Sequence, residues 1–148
     1  MDLEERRTPC VGICSTTYGD LVCRGCKRFA HEIVAWNAYS ADQHARVWRR
    51  LVELRDAATS AHVVVRDTKL LDLATAQLKL PHDASAASRT YELLRRKSRS
   101  IARLEDVGLA AVGLDAPTAT VLRDRIDAEF LRRSVAVYER SFRVVVDG

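Results

Sequence analysis

The sequence predicts a mostly α-helical fold in which an N-terminal four-cysteine knuckle is followed by helices. All four cysteines fall within the first 26 of the 148 residues, and apolar residues in several later stretches recur with helical spacing. Two β-branched runs, near residues 62–66 and 142–146, are the only strand candidates. The fold class therefore extends to α+β with two short strands, which we expect to pair as a ribbon.

The four cysteines form two close pairs, Cys10-x-x-x-Cys14 and Cys23-x-x-Cys26. Thiolates that converge at such spacings are typical of a site for one metal ion or cluster. We expect a positive φ at Gly25 inside the second pair, and we expect the polar residues 15–20 to let the chain double back. Tetrahedral Zn²⁺ and an Fe–S cluster both accept four thiolates, and they stand as equal candidates.

Disulfide bonds or a thiol redox pair are the competing interpretation of these cysteines. The first seven residues contain no apolar stretch that could act as a secretory signal. We therefore expect a cytoplasmic protein, and structural disulfides are rare in that reducing compartment. The metal interpretation is preferred for this reason.

Motifs that would indicate catalysis are absent from the sequence. It has no phosphate-binding glycine loop, no Gly-x-Ser-x-Gly elbow and no His-Glu-x-x-His pair. Four thiolates would also fill the shell of a tetrahedral Zn²⁺ and leave no position for a reacting water. Four thiolates make His31 and His44 unnecessary as substitute ligands, and we expect both to be surface or packing histidines. We expect a protein that is not an enzyme.

The residues around the cysteines form a longer pattern. It comprises Pro9-Cys10-Val11-Gly12-Ile13-Cys14, Cys23-Arg24-Gly25-Cys26-Lys27-Arg28, Glu32, Trp36 and Ser40-Ala41-Asp42. Over about residues 8–56 this resembles the small bacterial family called domain of unknown function 1289, whose members are described as predicted Fe–S proteins. The chain departs from the family pattern at His44, where the pattern has arginine. The resemblance implies that Cys10, Cys14, Cys23 and Cys26 are the family's ligands, and it implies no established function.

Two helices are expected directly after the cysteines. Phe29, Ile33 and Trp36 are spaced as on one face of a short amphipathic helix. Ser40 and Gln43 form a capping box that predicts the start of the second. Its apolar stripe is Val47, Trp48, Leu51 and Leu54. Because the cysteine loop has little core of its own, we expect metal binding to be coupled to its folding.

Residues 57–61, rich in alanine, serine and threonine, predict a joint. It would divide the chain into a four-cysteine module with two helices, residues 1–56, and a helical domain, residues 57–148. Three helices are expected in the second part, one from Asp67 to before Pro81, one from Asp83 or Ser85 to about Leu104, and one from Asp115-Ala116-Pro117 to about Arg140.

An arginine stripe lies on one side of the second of these three helices. It consists of Arg89, Arg95, Arg96, Arg99 and Arg103. Planar guanidinium groups suit phosphate, so a nucleic-acid backbone is the functional interpretation. A solvated face, or one paired with acids of the next helix such as Asp124, Asp127 and Glu129, is the preferred alternative. The net charge of +4 is modest for a nucleic-acid binder.

Three functions follow from these observations. The first is a non-enzymatic module in which Zn²⁺ or an Fe–S cluster supports a surface for a protein partner. The second is a redox or iron-sensing Fe–S protein, and the third is nucleic-acid binding through the arginine stripe. No apolar run approaches the roughly 20 residues that cross a bilayer, so no membrane partner is expected.

Overall fold

A computed structural model of the protein describes residues 8–11 and 14–142. It is mostly helical with two short antiparallel strands, which confirms the predicted fold class. The helices are α1 Ala30–Ala35, α2 Ala41–His62, α3 Thr68–Thr75, α4 Ala86–Lys97 and α5 Ala119–Phe142. The strands are β1 Val63–Val65 and β2 Leu109–Ala111. Short 3₁₀ turns occupy Ser15–Tyr18, Trp36–Ala38, Ala76–Leu78, Ser98–Ser100 and Leu104–Val107. Within the described residues, no helix is both long and apolar enough to cross a membrane.

The chain forms two compact units, and the two boundaries between them fall within α2 and α5. The first unit comprises Met1–Leu54 and Leu131–Gly148, and the second comprises Arg55–Phe130. The predicted joint at residues 57–61 is wrong, because these residues continue α2. Alanine is the strongest helix former, and the Thr59 hydroxyl donates to the Arg55 carbonyl of the preceding turn at 2.9 Å. The division into separate domains at residue 56 stays a prediction.

In the first unit, side chains fix the start of each helix. The Glu32 carboxylate accepts a hydrogen bond from the Phe29 backbone N–H at 2.9 Å, in the first turn of α1. At the start of α2, Gln43 Oε1 accepts from the Ser40 N–H at 2.8 Å and Ser40 Oγ accepts from the Gln43 N–H at 3.3 Å. The predicted capping box is therefore confirmed.

In the second unit, two predicted helix starts are correct and a third is shifted. Asp67 caps α3 through the N–H groups of its first turn, and Ser85 caps α4. The third helix begins at Ala119 instead of Asp115, because the Thr118 hydroxyl accepts from the Val121 N–H at 3.2 Å. Asp115 instead pairs with Arg125, its carboxylate lying 2.6 Å from the guanidinium.

The helix predicted to run to Leu104 ends at Lys97, where a 3₁₀ turn over Ser98–Ser100 begins. Serine hydroxyls compete with the helical backbone for hydrogen bonds. Ser98 Oγ accepts from the Arg123 guanidinium at 3.1 Å. This hydrogen bond is made at the residue directly after α4, where the helix ends earlier than predicted.

The two strands pair through Val63↔Ala111, Val64↔Ala110 and Val65↔Leu109. The first predicted strand is correct, and among the described residues it pairs with β2. Phe142 belongs to α5, and residues 143–146 lie outside the described residues. Gly108 precedes β2 at φ 78°, and its carbonyl accepts N–H groups from Arg66 and Asp67 at 2.7 and 3.1 Å. A side chain at Gly108 would collide with the Asp67 carbonyl, so glycine is required there.

Apolar side chains from α3, α4, β2 and α5 form the core of the second unit. They are Leu71, Leu93, Leu94, Leu109, Leu122, Ile126 and Phe130, each less than 5% exposed. Among the described residues of the first unit, the buried apolar side chains are fewer, and they include two cysteines. They are Val22, Cys23, Cys26, Phe29, Val47 and Leu51.

Candidate metal centre

A tight backbone reversal carries the second cysteine pair. The Ala30 N–H donates to the Leu21 carbonyl at 2.8 Å, and the Cys23 N–H donates to the Arg28 carbonyl at 2.9 Å. An isolated antiparallel bridge joins Val22 and Phe29 between these two bonds. Cys23 and Cys26 thus lie at the tip of a small hairpin, which we call the knuckle, residues 21–30.

The turn at the tip does not use the residue that the sequence predicts. Lys27 has the positive φ, 65°, whereas Gly25 does not. A lysine in this conformation is strained by about 1–2 kcal/mol. Its side chain is almost completely buried, and Nζ donates to the carbonyls of Arg24 and Gly25 at 2.6 and 3.0 Å. These bonds hold the strained turn closed.

Backbone N–H groups surround the Cys23 sulfur. Burial alone would raise the pKa of this thiol, because Cys23 is only 1% exposed. The N–H groups of Cys26, Ser15 and Gly25 and the Cys26 thiol outweigh burial and lower the pKa of Cys23 from 9.0 to about 7. The knuckle therefore favours a thiolate at this position, which is the form that binds metals.

The other three cysteines have different surroundings. Burial raises the pKa of the Cys26 thiol, and Arg28 opposes this by donating from Nε to Sγ at 3.3 Å. Cys14 is half-buried, and a hydrogen bond from the Thr16 hydroxyl, 2.9 Å from Sγ, lowers its pKa. Cys10 is exposed. None of these four described cysteines forms a disulfide bond.

The structure brings the second pair together and leaves the four-cysteine set unassembled. Cys23 and Cys26 share a side-chain hydrogen bond, and Ser15, the residue after Cys14, donates its N–H to Cys23. Throughout residues 8–11 and 14–142, no three Cys, His, Asp or Glu side chains converge as a metal-binding group. Gly12 and Ile13, which link the first pair, lie outside the described residues. The donor chemistry of the second pair fits a thiolate-binding metal, and the complete ligand set stays a prediction.

Two further contacts tie the motif residues after the cysteines to α2. Arg50 binds both Glu32 oxygens, at 2.7 and 2.5 Å, and its guanidinium lies 3.9 Å from the centre of the Phe29 ring. His44 stacks on Trp36 with ring centroids 4.1 Å apart. Sequence reasoning missed both contacts, because pairs 18 and 8 residues apart leave no local pattern.

A groove of about 620 Å³ opens beside the knuckle in the first unit. It is lined by Gly19, Asp20, Leu21, Val22, Arg24, Leu131, Val135, Tyr138 and Glu139. Leu21 is 58% exposed there, which is unusual for a large apolar side chain so near a buried turn. The first unit therefore presents apolar surface next to the candidate metal ligands.

The five arginines of the predicted arginine stripe do not share one helix, since α4 ends before Arg99 and Arg103. Four have acidic partners, Arg89 with Asp72, Arg95 and Arg96 with Glu92, and Arg103 with Glu105 and Asp106. These acids differ from the ones that the sequence suggested. Phosphate would have to compete with the existing ion pairs, and nucleic-acid binding stays a prediction.

Comparison with known proteins gives one match. No curated protein and no solved structure matches the chain. One family model matches residues 8–55, about a third of the chain, and covers the two cysteine pairs, α1 and most of α2. This confirms the resemblance drawn from the cysteine motifs. Residues 8–55, which contain the four cysteines, thus match the model of the family described as Protein of unknown function (DUF1289).

Proposed function

We propose that residues 8–55 form a metal-binding module in which Cys10, Cys14, Cys23 and Cys26 hold Zn²⁺ or an Fe–S cluster. We further propose that the protein is cytoplasmic and not an enzyme, and that the module supports a surface for a protein partner. The bound metal or cluster would supply a cross-link that closes the cysteine loop.

The observation that carries this proposal is the set of N–H groups aimed at the Cys23 sulfur. Those of Ser15, Gly25 and Cys26 come from both sides of the loop, and they stabilise negative charge on a buried atom. Amides that point at a thiolate lower its pKa and keep it ready for a soft metal. The arrangement thus supports a ligand role for Cys23.

The charges around the knuckle support the same role. Lys27 and Arg28 are 1% and 4% exposed, so two cations are buried within two residues of Cys26. Burial of a charge is costly unless an opposite charge lies near it. Four thiolates around Zn²⁺ carry a net charge of −2, which these cations would offset.

The alternative of thiol–disulfide exchange receives less support. A redox-active thiol has to be reached by another thiol or disulfide. Cys23, whose pKa is lowered most, is 1% exposed, and Cys26 is 7% exposed. Their burial supports binding of an ion within the turn over attack on a substrate.

Metal analysis of the full chain, purified without oxygen, tests the proposal. We expect either one zinc per chain and no colour, or iron and sulfide with absorption near roughly 400 nm. The second result would favour the redox or iron-sensing role. Cys23→Ser and Cys26→Ser should lose the metal, whereas Tyr18→Phe, at a side chain 90% exposed in the same loop, should keep it. A folded wild-type protein that binds neither zinc nor iron would overturn the proposal.

A further inference from the structure

We propose that Arg28 is a positioning residue for the metal centre. Its guanidinium, held against Trp36, donates a hydrogen bond to the Cys26 sulfur and sets the electron density that this sulfur offers to a metal. This inference rests on the proposed metal-binding function.

Both ends of Arg28 bind the cysteine turn. Its backbone carbonyl accepts the Cys23 N–H at 2.9 Å, and its side-chain Nε lies 3.3 Å from Cys26 Sγ. The residue is 4% exposed, so little water competes for the sulfur contact. One residue thus contacts both cysteines of the pair, one through the backbone and the other through the side chain.

Trp36 fixes the position of the guanidinium. The Arg28 guanidinium carbon lies 4.8 Å from the centre of the Trp36 ring, within cation–π range. The indole is itself held by His44, whose ring stacks on it at an interplanar angle of 17° and whose Nε2–H donates to the Trp36 carbonyl at 2.7 Å. A chain of planar groups therefore runs from the first turn of α2 to the Cys26 sulfur.

Arg24 provides a matched control within the same turn. Its side chain is 73% exposed and pairs with Asp20 at 3.3 Å, away from either sulfur contact described above. Arg24 and Arg28 carry the same charge four residues apart. A difference between their variants would therefore reflect the sulfur contact and not the net charge.

A donor on a metal-bound sulfur withdraws electron density and holds the ligand in place. Loss of such an outer partner typically weakens metal affinity about 10–100-fold. It also moves the sulfur-to-metal charge-transfer band to longer wavelength, because the sulfur electrons become easier to donate. A residue that only supports the fold would not move this band in metal-saturated protein.

The experiment measures Zn²⁺ affinity by chelator competition and the charge-transfer band of the Co²⁺-saturated full chain. We expect Arg28→Gln to weaken Zn²⁺ binding about 10–100-fold and to shift the band to longer wavelength. Arg24→Gln should change neither quantity. Trp36→Leu should shift the band in the same direction, and it should add nothing when combined with Arg28→Gln, since both act through one contact.

The outcomes separate this inference from the proposed function. Wild-type protein that binds neither Zn²⁺ nor Co²⁺ would overturn both. Wild-type protein that binds, with Arg28→Gln and Arg24→Gln both matching it in affinity and band position, would overturn the role of Arg28 alone. If Arg28→Gln does not fold, the charge-transfer band is measured for Arg28→Lys and Trp36→Leu at saturating Co²⁺. An unshifted band in both variants would overturn the inference.

Discussion

The two units of the protein each bury an arginine, but they balance its charge with different partners. In the second unit, Arg55 is 7% exposed and lies 3.6 Å from Asp56 and 3.9 Å from Glu92. In the first, Arg28 is 4% exposed and donates to a cysteine sulfur. A carboxylate is charged at neutral pH by itself, whereas a thiol near its usual pKa is mostly neutral. Arg55 thus has carboxylates beside it, whereas the counter-charge of Arg28 would come from the thiolates of the proposed metal centre.

The two units also differ in the apolar side chains that they bury. The second unit buries leucine, isoleucine and phenylalanine side chains from four elements, whereas the knuckle contributes only Val22 and Phe29 beside its cysteines. Hydrophobic burial stabilises a fold in proportion to the apolar area removed from water. The comparison indicates that the second unit is stabilised by its own side chains, whereas under the proposed function a bound metal would stabilise the knuckle.

Metal removal should have the largest effect and tests the comparison directly. Metal binding contributes on the order of 10 kcal/mol to small structural zinc sites, so its loss should unfold the knuckle. Hydrogen exchange of the full chain, with and without a chelator, should show amides 14–29 losing protection and those of α3 and α4 keeping it. Equal loss in both regions, or loss in neither, would contradict the comparison.

Gly108→Ala should damage the second unit while leaving metal binding intact. The new Cβ would collide with the Asp67 carbonyl, and the residue has φ 78°. We expect a loss of about 3 kcal/mol in unfolding free energy, from backbone strain and overpacking together.

Gly113→Ala is the matched control, because it has φ 106° but its nearest neighbour is 3.6 Å away. It should cost about 1 kcal/mol, from the backbone conformation alone. Urea denaturation measures both losses, and equal values would show that the contact with Asp67 is unimportant.

Glu92→Gln should cost about 2 kcal/mol at neutral pH, because the carboxylate accepts from Arg95 and Arg96 at 2.8 Å each. Burial raises the pKa of Glu92, but these two arginines and Arg55 outweigh it, so the pKa lies below 4.5. The stability from this group is therefore present above pH 4.5 and is lost as the pH falls through the lowered pKa.

Glu92→Gln should lack this part of the loss of stability in acid. Denaturation at several pH values measures the loss in both proteins. Glu105→Gln is the control, because its pair with Arg103 is about 70% exposed on both sides and should contribute little. An unchanged acid profile in Glu92→Gln would contradict the assigned cause.

Ser40→Ala should have the smallest effect, about 1 kcal/mol, from loss of the cap on α2. Ser60→Ala, at an exposed site inside the same helix, should not destabilise it. Thermal denaturation of the metal-loaded protein compares the two. If Ser40→Ala and Ser60→Ala melt alike, the capping box contributes nothing in the folded chain.

Local signals in the sequence predicted much of this fold. The helix starts at Ser40 and Asp67 were predicted, and Ser85 was one of two candidates for the next, because each capping hydrogen bond joins residues within one turn. The β-branched run at Val63–Val65 predicted β1, since such residues suit a pleated strand. The partner strand contains two alanines, which prefer helices, and only pairing with β1 makes it extended.

The candidate site was less predictable for a physical reason. Cysteine spacing identified the four thiols, because metal ligands have to be near one another. The positive φ at Lys27 was not predicted, since nothing local favours lysine over Gly25 for that conformation. The contacts of Arg28 with Cys26 and Trp36 were not predicted either, because they depend on how the chain folds back.

The stack on Trp36 gives the protein an optical reporter. This residue is one of two tryptophans, and its indole contacts a guanidinium that also contacts a cysteine sulfur. Indole emission responds to neighbouring charges, so a change of charge on that sulfur alters the light that Trp36 emits. A Trp48→Phe protein, with Trp36 as its single emitter, would therefore report occupancy of the centre without any added dye.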